Sequence, residues 1–340
     1  MEVNLISDTV TRPTAGMLAH MMDTPVGDDV FKEDPSINAL EEQVASLFGK
    51  EAALFFPSGT MANQTAIKLH TQPGEQLICD HYAHIFNYEG GGVSFNSGVS
   101  CALIEGERGR ITAEQIKQRI NPSDFYHSPK TALVALENTT NKGGGACYDP
   151  VEIKRIAALC KEENLPLHLD GARLWNAMTA TKTTPAFYGE MFDTISVCFS
   201  KGLGAPVGSA LLGTKEQIDR ALRVRKMLGG GMRQAGYLAA AASYGITHHW
   251  PRMQEDHQKA KALGEAVKAV DGVQYLAPVD TNIVIFEFTS EAREKQFMEH
   301  MQKCKIQLIS MGSGKLRFVT HLDYSNDQHV YVLQCIKQFN

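Results

Sequence analysis

The strongest candidate for a reactive group is a lysine that comes directly after a strand-like segment. Ser200-Lys201-Gly202 follows the apolar run 194–199, and α/β proteins bind ligands at the carboxyl ends of their parallel strands. A partly desolvated amine at such a position can form a Schiff base with a carbonyl compound. A lysine that only reaches solvent is the usual alternative, and this motif alone does not decide between the two.

A second strand-like segment, 167–170, ends in an acid, and Arg173 follows soon after it. Asp170 could keep a pyridinium nitrogen protonated, which is the usual task of an aspartate beside pyridoxal phosphate. The alternative is a helix N-cap. His168 and Asp170 lie on one face because side chains alternate along a strand. Although this pair resembles half of a metal site, no second pair of ligands has matching spacing, and we expect no metal.

Two further segments could hold the phosphate and the ring of such a cofactor. Ser58-Gly59-Thr60 follows the strand-like run 53–56 and opens a helix, where free backbone N–H groups bind anions. Ordinary helix capping explains this turn equally well. The segment Asp80-His81-Tyr82-Ala83-His84 follows the run 76–79, so one of its rings could stack on a flat ligand. A hydrogen-bonded surface or core histidine is the alternative.

The four motifs share one property, which is that each of them follows a predicted strand. A parallel sheet would collect them along one edge. An amine, a carboxylate for a ring nitrogen, a phosphate cradle and a stacking ring are the parts of a pyridoxal-phosphate site. Together they favour this cofactor over the separate alternatives.

Alternating strand-like and helix-like patterns must position these motifs. Short apolar runs indicate strands that are buried on both faces, at 53–56, 76–79, 131–136, 167–170, 194–199 and 209–213. Helices are predicted at 59–69 and 150–163, and a long one from near residue 232 toward 246. This order indicates an α/β fold with a mainly parallel central sheet.

The order of the elements changes after about residue 250. It becomes a helix, a strand at 282–288, a helix, strands at 305–309 and 316–320, and a final helix. This pattern predicts a smaller α+β domain at 251–340, after a large cofactor-binding domain at 1–250 that carries an N-terminal arm. A chain of 340 residues is long enough for two domains.

Composition argues against several classes of function. The formal net charge of -5 disfavours nucleic acids and anionic membranes as partners, because both need basic patches. We see no transmembrane helix and no signal-peptide pattern at the start. The seven cysteines contain no C-x-x-C pair, so we expect reduced thiols and a cytoplasmic protein.

Longer motifs, taken in order, resemble those of the low-specificity L-threonine aldolases, which are fold-type-I pyridoxal-phosphate enzymes. The matching segments are Ser7-Asp8-Thr9-Val10-Thr11-Arg12-Pro13, Val26-Gly27-Asp28-Asp29-Val30, Gly49-Lys50-Glu51-Ala52-Ala53, Pro57-Ser58-Gly59-Thr60-Met61-Ala62-Asn63, His168-Leu169-Asp170-Gly171-Ala172-Arg173, Ser200-Lys201-Gly202-Leu203-Gly204, Gly229-Gly230-Gly231-Met232-Arg233-Gln234 and Leu316-Arg317-Phe318-Val319-Thr320-His321. The resemblance implies a seven-stranded sheet like that of aspartate aminotransferase and cleavage of L-threonine or L-allo-threonine to glycine and acetaldehyde. It also implies a homotetramer, built as a dimer of dimers with shared active sites.

The resemblance also implies a role for each matching residue. Lys201 matches the lysine that binds the cofactor covalently, Asp170 the partner of the pyridine nitrogen, and His84 the residue stacked on the ring. The other matches are Ser58, Gly59 and Thr60 at the phosphate; Ser7, Arg173 and Arg317 at the substrate carboxylate; His127 near the substrate hydroxyl; and Lys226 near the cofactor of a neighbouring subunit. Tyr88 and Glu89 are further candidates for contact with the substrate.

Two positions depart from the family pattern, and several functional questions stay open. Ile6 stands where many relatives carry arginine, and Thr140 where many carry histidine. The base that takes the hydroxyl proton could be His84, His127 or a water held by them, with Glu89 as a further candidate. A phenylserine aldolase, a β-eliminating lyase or an aminotransferase could share this fold. A metal-dependent aldolase and a non-catalytic cofactor-binding regulator are more distant alternatives, and the intact lysine and aspartate argue against the regulator.

Overall fold

The strands of the chain form three sheets. In chain order they are Val3–Asn4 (β1), Ala52–Phe56 (β2), Gln76–Asp80 (β3), Ser100–Ile104 (β4), Thr131–Glu137 (β5), Leu167–Gly171 (β6), Thr194–Cys198 (β7), Ser209–Gly213 (β8), Val273–Leu276 (β9), Ile283–Phe288 (β10), Ile306–Gln307 (β11), Ile309–Gly312 (β12) and Lys315–Val319 (β13). This computed structural model describes residues 1–339.

Helices connect and cover the strands. They are Ala15–Met22 (α1), Pro35–Phe48 (α2), Gly59–His70 (α3), His84–Asn87 (α4), Gly92–Ser97 (α5), Ala113–Lys117 (α6), Pro150–Glu162 (α7), Leu174–Thr181 (α8), Pro185–Met191 (α9), Lys215–Met227 (α10), Gly236–Tyr244 (α11), Met253–Lys268 (α12), Glu291–Lys303 (α13) and Asn326–Lys337 (α14). Short 3-10 turns lie at Asp8–Val10, Asp29–Phe31 and Trp250–Arg252, and a π-helical turn at Gly245–His249. Among residues 1–339, no helix combines the length and the apolar character needed to span a bilayer.

The largest sheet has seven strands in the order β2-β8-β7-β6-β5-β3-β4. Neighbours from β7 to β4 pair in parallel, whereas β8 is antiparallel to both of its neighbours. Every residue of β3, β5, β6, β7 and β8 is buried, because helices cover both faces of the sheet. The predicted α/β class with a mainly parallel seven-stranded sheet is confirmed.

The six strands predicted in this region are found within one residue of their expected bounds. Strand β4 was missed because it is an edge strand whose residues are only alternately buried, which makes its apolar pattern weak. The helix predicted from near residue 232 begins instead at Gly236. Residues 233–235 instead form a turn in which the Ala235 N–H donates to the Arg233 carbonyl at 2.8 Å, and the Gly236 N–H donates to Asp34 Oδ2 at 2.8 Å.

The C-terminal region builds a separate sheet of four antiparallel strands, β12-β13-β10-β9. Its elements follow the predicted order with two differences. β9 is an addition, and the strand predicted at 305–309 is instead two strands, β11 beside β1 and β12 in the four-stranded sheet. Aromatic side chains of β10, α13 and β13 form its core, together with Val3 and Leu5 from the N-terminus. Strand β1 pairs in parallel with β11, so the N-terminal arm joins this region. A domain boundary near residue 250 stays a prediction.

Candidate active site

Lys201 lies just beyond the carboxyl end of β7, in the middle of the large sheet. Its backbone carbonyl accepts hydrogen bonds from Thr11 Oγ1 (3.1 Å) and from the Gly204 N–H (2.8 Å). Its half-buried side chain donates from Nζ to Cys198 Sγ at 3.3 Å. The turn after β7 and the N-terminal arm therefore hold the amine in a defined place.

The turn at the start of α3 lies beside this lysine. Ser58 is the N-cap, and its hydroxyl accepts a hydrogen bond from the Met61 N–H at 3.2 Å. The first N–H groups of a helix have no partner within the helix and attract an anion. A Cβ at Gly59 would lie 2.7 Å from Cys198 Sγ, so only glycine lets the anion-binding turn approach the thiol that also contacts Lys201.

Asp170 is buried at the end of β6 and holds two hydrogen bonds. Its Oδ1 accepts from the Ala172 N–H at 3.1 Å, and its Oδ2 accepts from Asn63 Nδ2 at 3.0 Å. Asn63 lies on the inner face of α3 and donates a second hydrogen bond to Glu89 Oε1 at 2.9 Å. Donors directed at a carboxylate favour its ionised form, and an ionised Asp170 suits a protonated ring nitrogen.

His84 opens the short helix α4, close to three carboxylates. Its Nδ1 lies 3.0 Å from Glu89 Oε1, and its backbone N–H donates to Glu137 Oε2 at 2.7 Å. Burial lowers the pKa of His84, but the Glu89 hydrogen bond and the charges of Asp170, Glu89 and Glu137 outweigh burial and raise it. Burial, with repulsion from Asp170, raises the pKa of Glu137 to about 7.

The opposite side of the site carries two guanidinium groups, and the first is already neutralised. Arg173 donates from Nε and Nη2 to the two oxygens of Asp8, at 2.8 and 2.7 Å. Burial alone would raise the pKa of Asp8, but the charge of Arg173 and its hydrogen bond lower it to about 2, with a further contribution from Lys201. Asp8 and Arg173 are both buried.

The second guanidinium, that of Arg317 on β13, is held only by neutral oxygens. Nη1 donates to Asn141 Oδ1 and Nη2 to the Ile6 carbonyl, both at 3.1 Å. Within residues 1–339, its buried Nε has no hydrogen-bond partner and no carboxylate lies within 4.0 Å of the group. Burial and the charge of Arg173 lower the pKa of Arg317. An uncompensated guanidinium of this kind suits a carboxylate ligand.

These groups fit pyridoxal phosphate and an amino acid. The helix N-terminus suits the phosphate, Asp170 the ring nitrogen, Lys201 the carbonyl carbon and Arg317 a substrate carboxylate. Ligand atoms of His84, Glu89 and Asp170 also lie within 4.8 Å of one another, a spacing that could hold a metal ion. The sequence predicted no metal site, and a chelator experiment tests that prediction.

Two predicted residues lie away from this cluster within the protomer. His127 is exposed in the loop before β5, close to residues that precede β3 and β4. It therefore lies at the amino end of these parallel strands, whereas Asp170 lies at the carboxyl end of β6. It could therefore act only in the site of another subunit. Lys226 is exposed in the last turn of α10. A Cβ placed on Gly231 would lie 3.7 Å from Lys226 Nζ. Gly231 belongs to the glycine loop 229–231, and a Cβ on Gly230 in this loop would contact Met61 at the start of α3.

Several residues of the site had no assigned role before the structure was known. Asn63, Asp8 and Asn141 each bind a predicted residue directly. Asn63 and Asp8 could have been found from the sequence, because they lie inside the motifs that contain Ser58 and Ser7, respectively. At the two positions that depart from the family pattern, Ile6 contributes its backbone carbonyl to Arg317, and Thr140 donates from its hydroxyl to the Arg108 carbonyl at 2.9 Å.

Comparison with known families supports this picture. Residues 4–291 match the model of the β-eliminating lyase family. The chain is also similar to low-specificity L-threonine aldolase 1 of Arabidopsis thaliana, with 39% identity over 344 residues, which cover 99% of this chain and 96% of the relative.

Solved structures show the same fold. The threonine aldolase of Leishmania major superposes with a TM-score of 0.86 at 21% identity, covering 99% of this chain and 100% of that one. A structure of SPT with bound pyridoxal phosphate superposes with a TM-score of 0.78 at 16% identity, covering 99% of this chain and 87% of that one.

Proposed function

Because the chain belongs to the β-eliminating lyase family, and to the low-specificity L-threonine aldolases within it, we propose that it is a pyridoxal-phosphate-dependent aldolase. It cleaves L-threonine and L-allo-threonine to glycine and acetaldehyde by breaking the bond between Cα and Cβ. The alternatives on the same fold are a phenylserine aldolase, a β-eliminating lyase and an aminotransferase.

The observation that carries this proposal is the uncompensated charge of Arg317 in a site that also holds Lys201 and Asp170. Arg173 is neutralised by Asp8, whereas Arg317 has a buried Nε without a partner among residues 1–339. Arg317 donates to Asn141, and the Asn141 N–H donates to Glu137, the same carboxylate that accepts from the His84 N–H. This guanidinium therefore lies near the start of the helix of His84. A substrate carboxylate bound there would place an amino acid between the lysine and the histidine.

Each group of the chain then has a defined task. When bound, pyridoxal phosphate supplies an electron sink for the pair of electrons left on Cα. Arg317 holds the substrate carboxylate, with Arg173 and Ser7 beside it, and Asp170 holds the proton of the ring nitrogen. The His84–Glu89 pair is our candidate for the base, because Nδ1 is bound to Glu89 and leaves Nε2 for the hydroxyl proton.

The first experiment is an absorbance spectrum of the purified protein with pyridoxal phosphate, followed by an acetaldehyde assay with L-threonine and L-allo-threonine. We expect a visible band and aldehyde release without added keto acid. Lys201→Ala should lose both the band and the activity, whereas Lys215→Ala, at an exposed lysine of α10, should keep them.

Other results would change the proposal in different ways. Full activity of Lys201→Ala would overturn the role of the lysine. A visible band with no aldehyde would move the function to another substrate or to amino transfer, and loss of activity with a chelator would indicate a metal-dependent aldolase.

We further propose that the enzyme is a cytoplasmic homotetramer with shared active sites. Phe95, Tyr126 and Met22 expose 90%, 87% and 78% of their surface in the isolated protomer, which suits burial between subunits. Assembly would also bring His127 and Lys226 to the sites of other subunits. The unpaired cysteines suit a reducing compartment.

A further inference from the structure

A line of polar side chains leads from the carboxylate of Asp170 to the opposite end of the large sheet. Strand register places His168 beside Thr194 and Asp170 beside Ser196, and alternation along each strand puts all four on one face. Helix α3 packs over this face. It contributes two side chains, seven residues or about two turns apart, which are those of Asn63 and His70.

The links of this line are all within hydrogen-bond distance. Asn63 Nδ2 lies 3.0 Å from Asp170 Oδ2, and Asn63 Oδ1 lies 3.2 Å from His168 Nε2. Thr194 Oγ1 lies 2.9 Å from His168 Nδ1 and 3.0 Å from His70 Nε2. His70 is half-buried and lines a surface pocket, whereas the other four side chains are buried.

The orientation of the Asn63 amide determines the direction of the first links. Its Nδ2 faces oxygens of both Asp170 and Glu89, and ionised carboxylates only accept hydrogen bonds. The amide nitrogen must therefore lie on that side, and Oδ1 on the other. Oδ1 accepts from Ser196 Oγ at 2.6 Å, and His168 must donate to it from a protonated Nε2.

The protonation of the histidines determines the direction of the remaining links. Burial lowers the pKa of His168 to about 4, so one ring nitrogen carries a proton at neutral pH. That nitrogen is Nε2, and Nδ1 accepts from the Thr194 hydroxyl. Thr194 has used its single proton and must accept from His70 Nε2. Burial also lowers the pKa of His70 to about 4, so this ring has a single proton, which Nε2 must carry to donate to Thr194. Every link therefore donates toward Asp170.

We propose that His70, Thr194 and His168 are positioning residues that form a one-directional hydrogen-bonded chain, which locks the Asn63 amide so that it donates to Asp170. This inference rests on the proposed cofactor. Glu137 and Glu89 are acidic neighbours of Asp170, and His84 is a nearby base. Negative charges on the two glutamates would repel a negative charge on Asp170. A fixed donor keeps Asp170 Oδ2 in the role of acceptor, and hydrogen bonds in series strengthen one another.

The test compares Thr194→Val, which keeps the shape and removes the donor, with Thr194→Ser, which keeps the donor. In Thr194→Val, we expect pyridoxal phosphate to bind about 2- to 10-fold more weakly, the range of one net hydrogen bond. The pH at which the visible band of the bound cofactor titrates should shift. The kcat should fall, with little change in the KM for L-threonine. Thr194→Ser should remain close to the wild type.

A second pair of variants covers the case in which Thr194→Val does not fold. His70→Leu removes the outermost donor, and His70→Gln keeps an N–H group there. We expect a smaller change of the same kind in His70→Leu, measured by cofactor binding and by the visible spectrum. The proposal would be overturned if Thr194→Val, or His70→Leu where it alone folds, had the cofactor affinity and the visible spectrum of the wild type.

A measurement on the wild-type protein tests the direction of the chain without any cofactor or substrate. In protein labelled with ¹⁵N-histidine, and with His168 assigned through His168→Gln, Nε2 should be protonated and Nδ1 unprotonated at neutral pH. The reverse tautomer would overturn the proposal. Absence of aldehyde release by a protein that binds the cofactor would instead contradict the proposed function and leave these readouts intact.

Discussion

The cofactor side of the site and its substrate-carboxylate side are built in different ways. The cofactor side consists of strand ends and the helix α3, and its carboxylates are held by donors within the large sheet layer, such as Asn63 on Asp170. The carboxylate side joins distant parts of the chain, because Arg317 binds residues 176 and 311 positions away. The N-terminal arm also contacts Lys201 on the cofactor side through Thr11, but only the carboxylate side depends on how this arm meets the C-terminal region.

The comparison also concerns charge. Acidic groups crowd the cofactor side, where Asp170, Glu137 and Glu89 surround His84. On the carboxylate side, Asp8 neutralises one of the two arginines and leaves the other without an acidic partner among residues 1–339. The two sides therefore favour opposite charges, namely a protonated ring and an anionic carboxylate.

The largest expected effect comes from removing the negative charge of Asp170 on the cofactor side. Asp170→Asn keeps the shape but cannot hold the ring nitrogen protonated, so we expect kcat to fall by about 100- to 1000-fold, as for other preorganised electrostatic groups. Steady-state kinetics with saturating cofactor measure this. Asp193→Asn, at an exposed carboxylate that accepts from the Leu167 N–H at the opposite end of the sheet, should keep its kcat. Equal losses in both variants would contradict the assignment.

A smaller effect should follow from removing the free charge of the other side. Arg317→Gln should mainly raise the KM for L-threonine and lower kcat/KM by roughly 10- to 150-fold, which corresponds to about 1.5–3 kcal/mol for hydrogen bonds to a charged group. Cofactor affinity should stay near the wild-type value, because Asp170 and the turn at Ser58 are unchanged. Arg317→Lys should recover part of the loss. If Arg317→Gln instead lost the cofactor, the two sides would not be separable.

The smallest effect concerns stability and tests whether Asp8 is the neutralising partner. The pKa of Asp8 is lowered from 3.8 to about 2, so the ion pair stabilises the fold above the unfolded value and this contribution is lost as pH falls toward about 2. The advantage of the wild type over Asp8→Asn in free energy of unfolding should therefore shrink by about 2 kcal/mol between about pH 5 and pH 2. Urea unfolding of the cofactor-free protein measures it, and a constant difference across this range would show that Asp8 is not held ionised by Arg173.

Much of the cofactor side could be predicted because strand ends in a parallel sheet share one edge. Lys201, Asp170 and His84 each follow a buried apolar run, and all three lie in the observed cluster. The resemblance placed His127 near the substrate hydroxyl, whereas in the single chain its loop precedes β5 and lies at the other end of the sheet. The contacts of these residues could not be predicted, because Asn63 reaches both Asp170 and Glu89 only when α3 packs on the sheet.

The sequence by itself therefore determined the fold class, the family and the candidate residues of the cofactor side, because periodicity and local motifs depend on neighbouring residues. The tertiary structure alone decided which arginine is neutralised, which asparagine donates to Asp170 and which predicted histidine lies away from the cluster. Those outcomes depend on contacts between residues far apart in the chain and on burial, which sets the charge of each group. A pattern of residue types along the chain specifies neither these contacts nor the burial of each group.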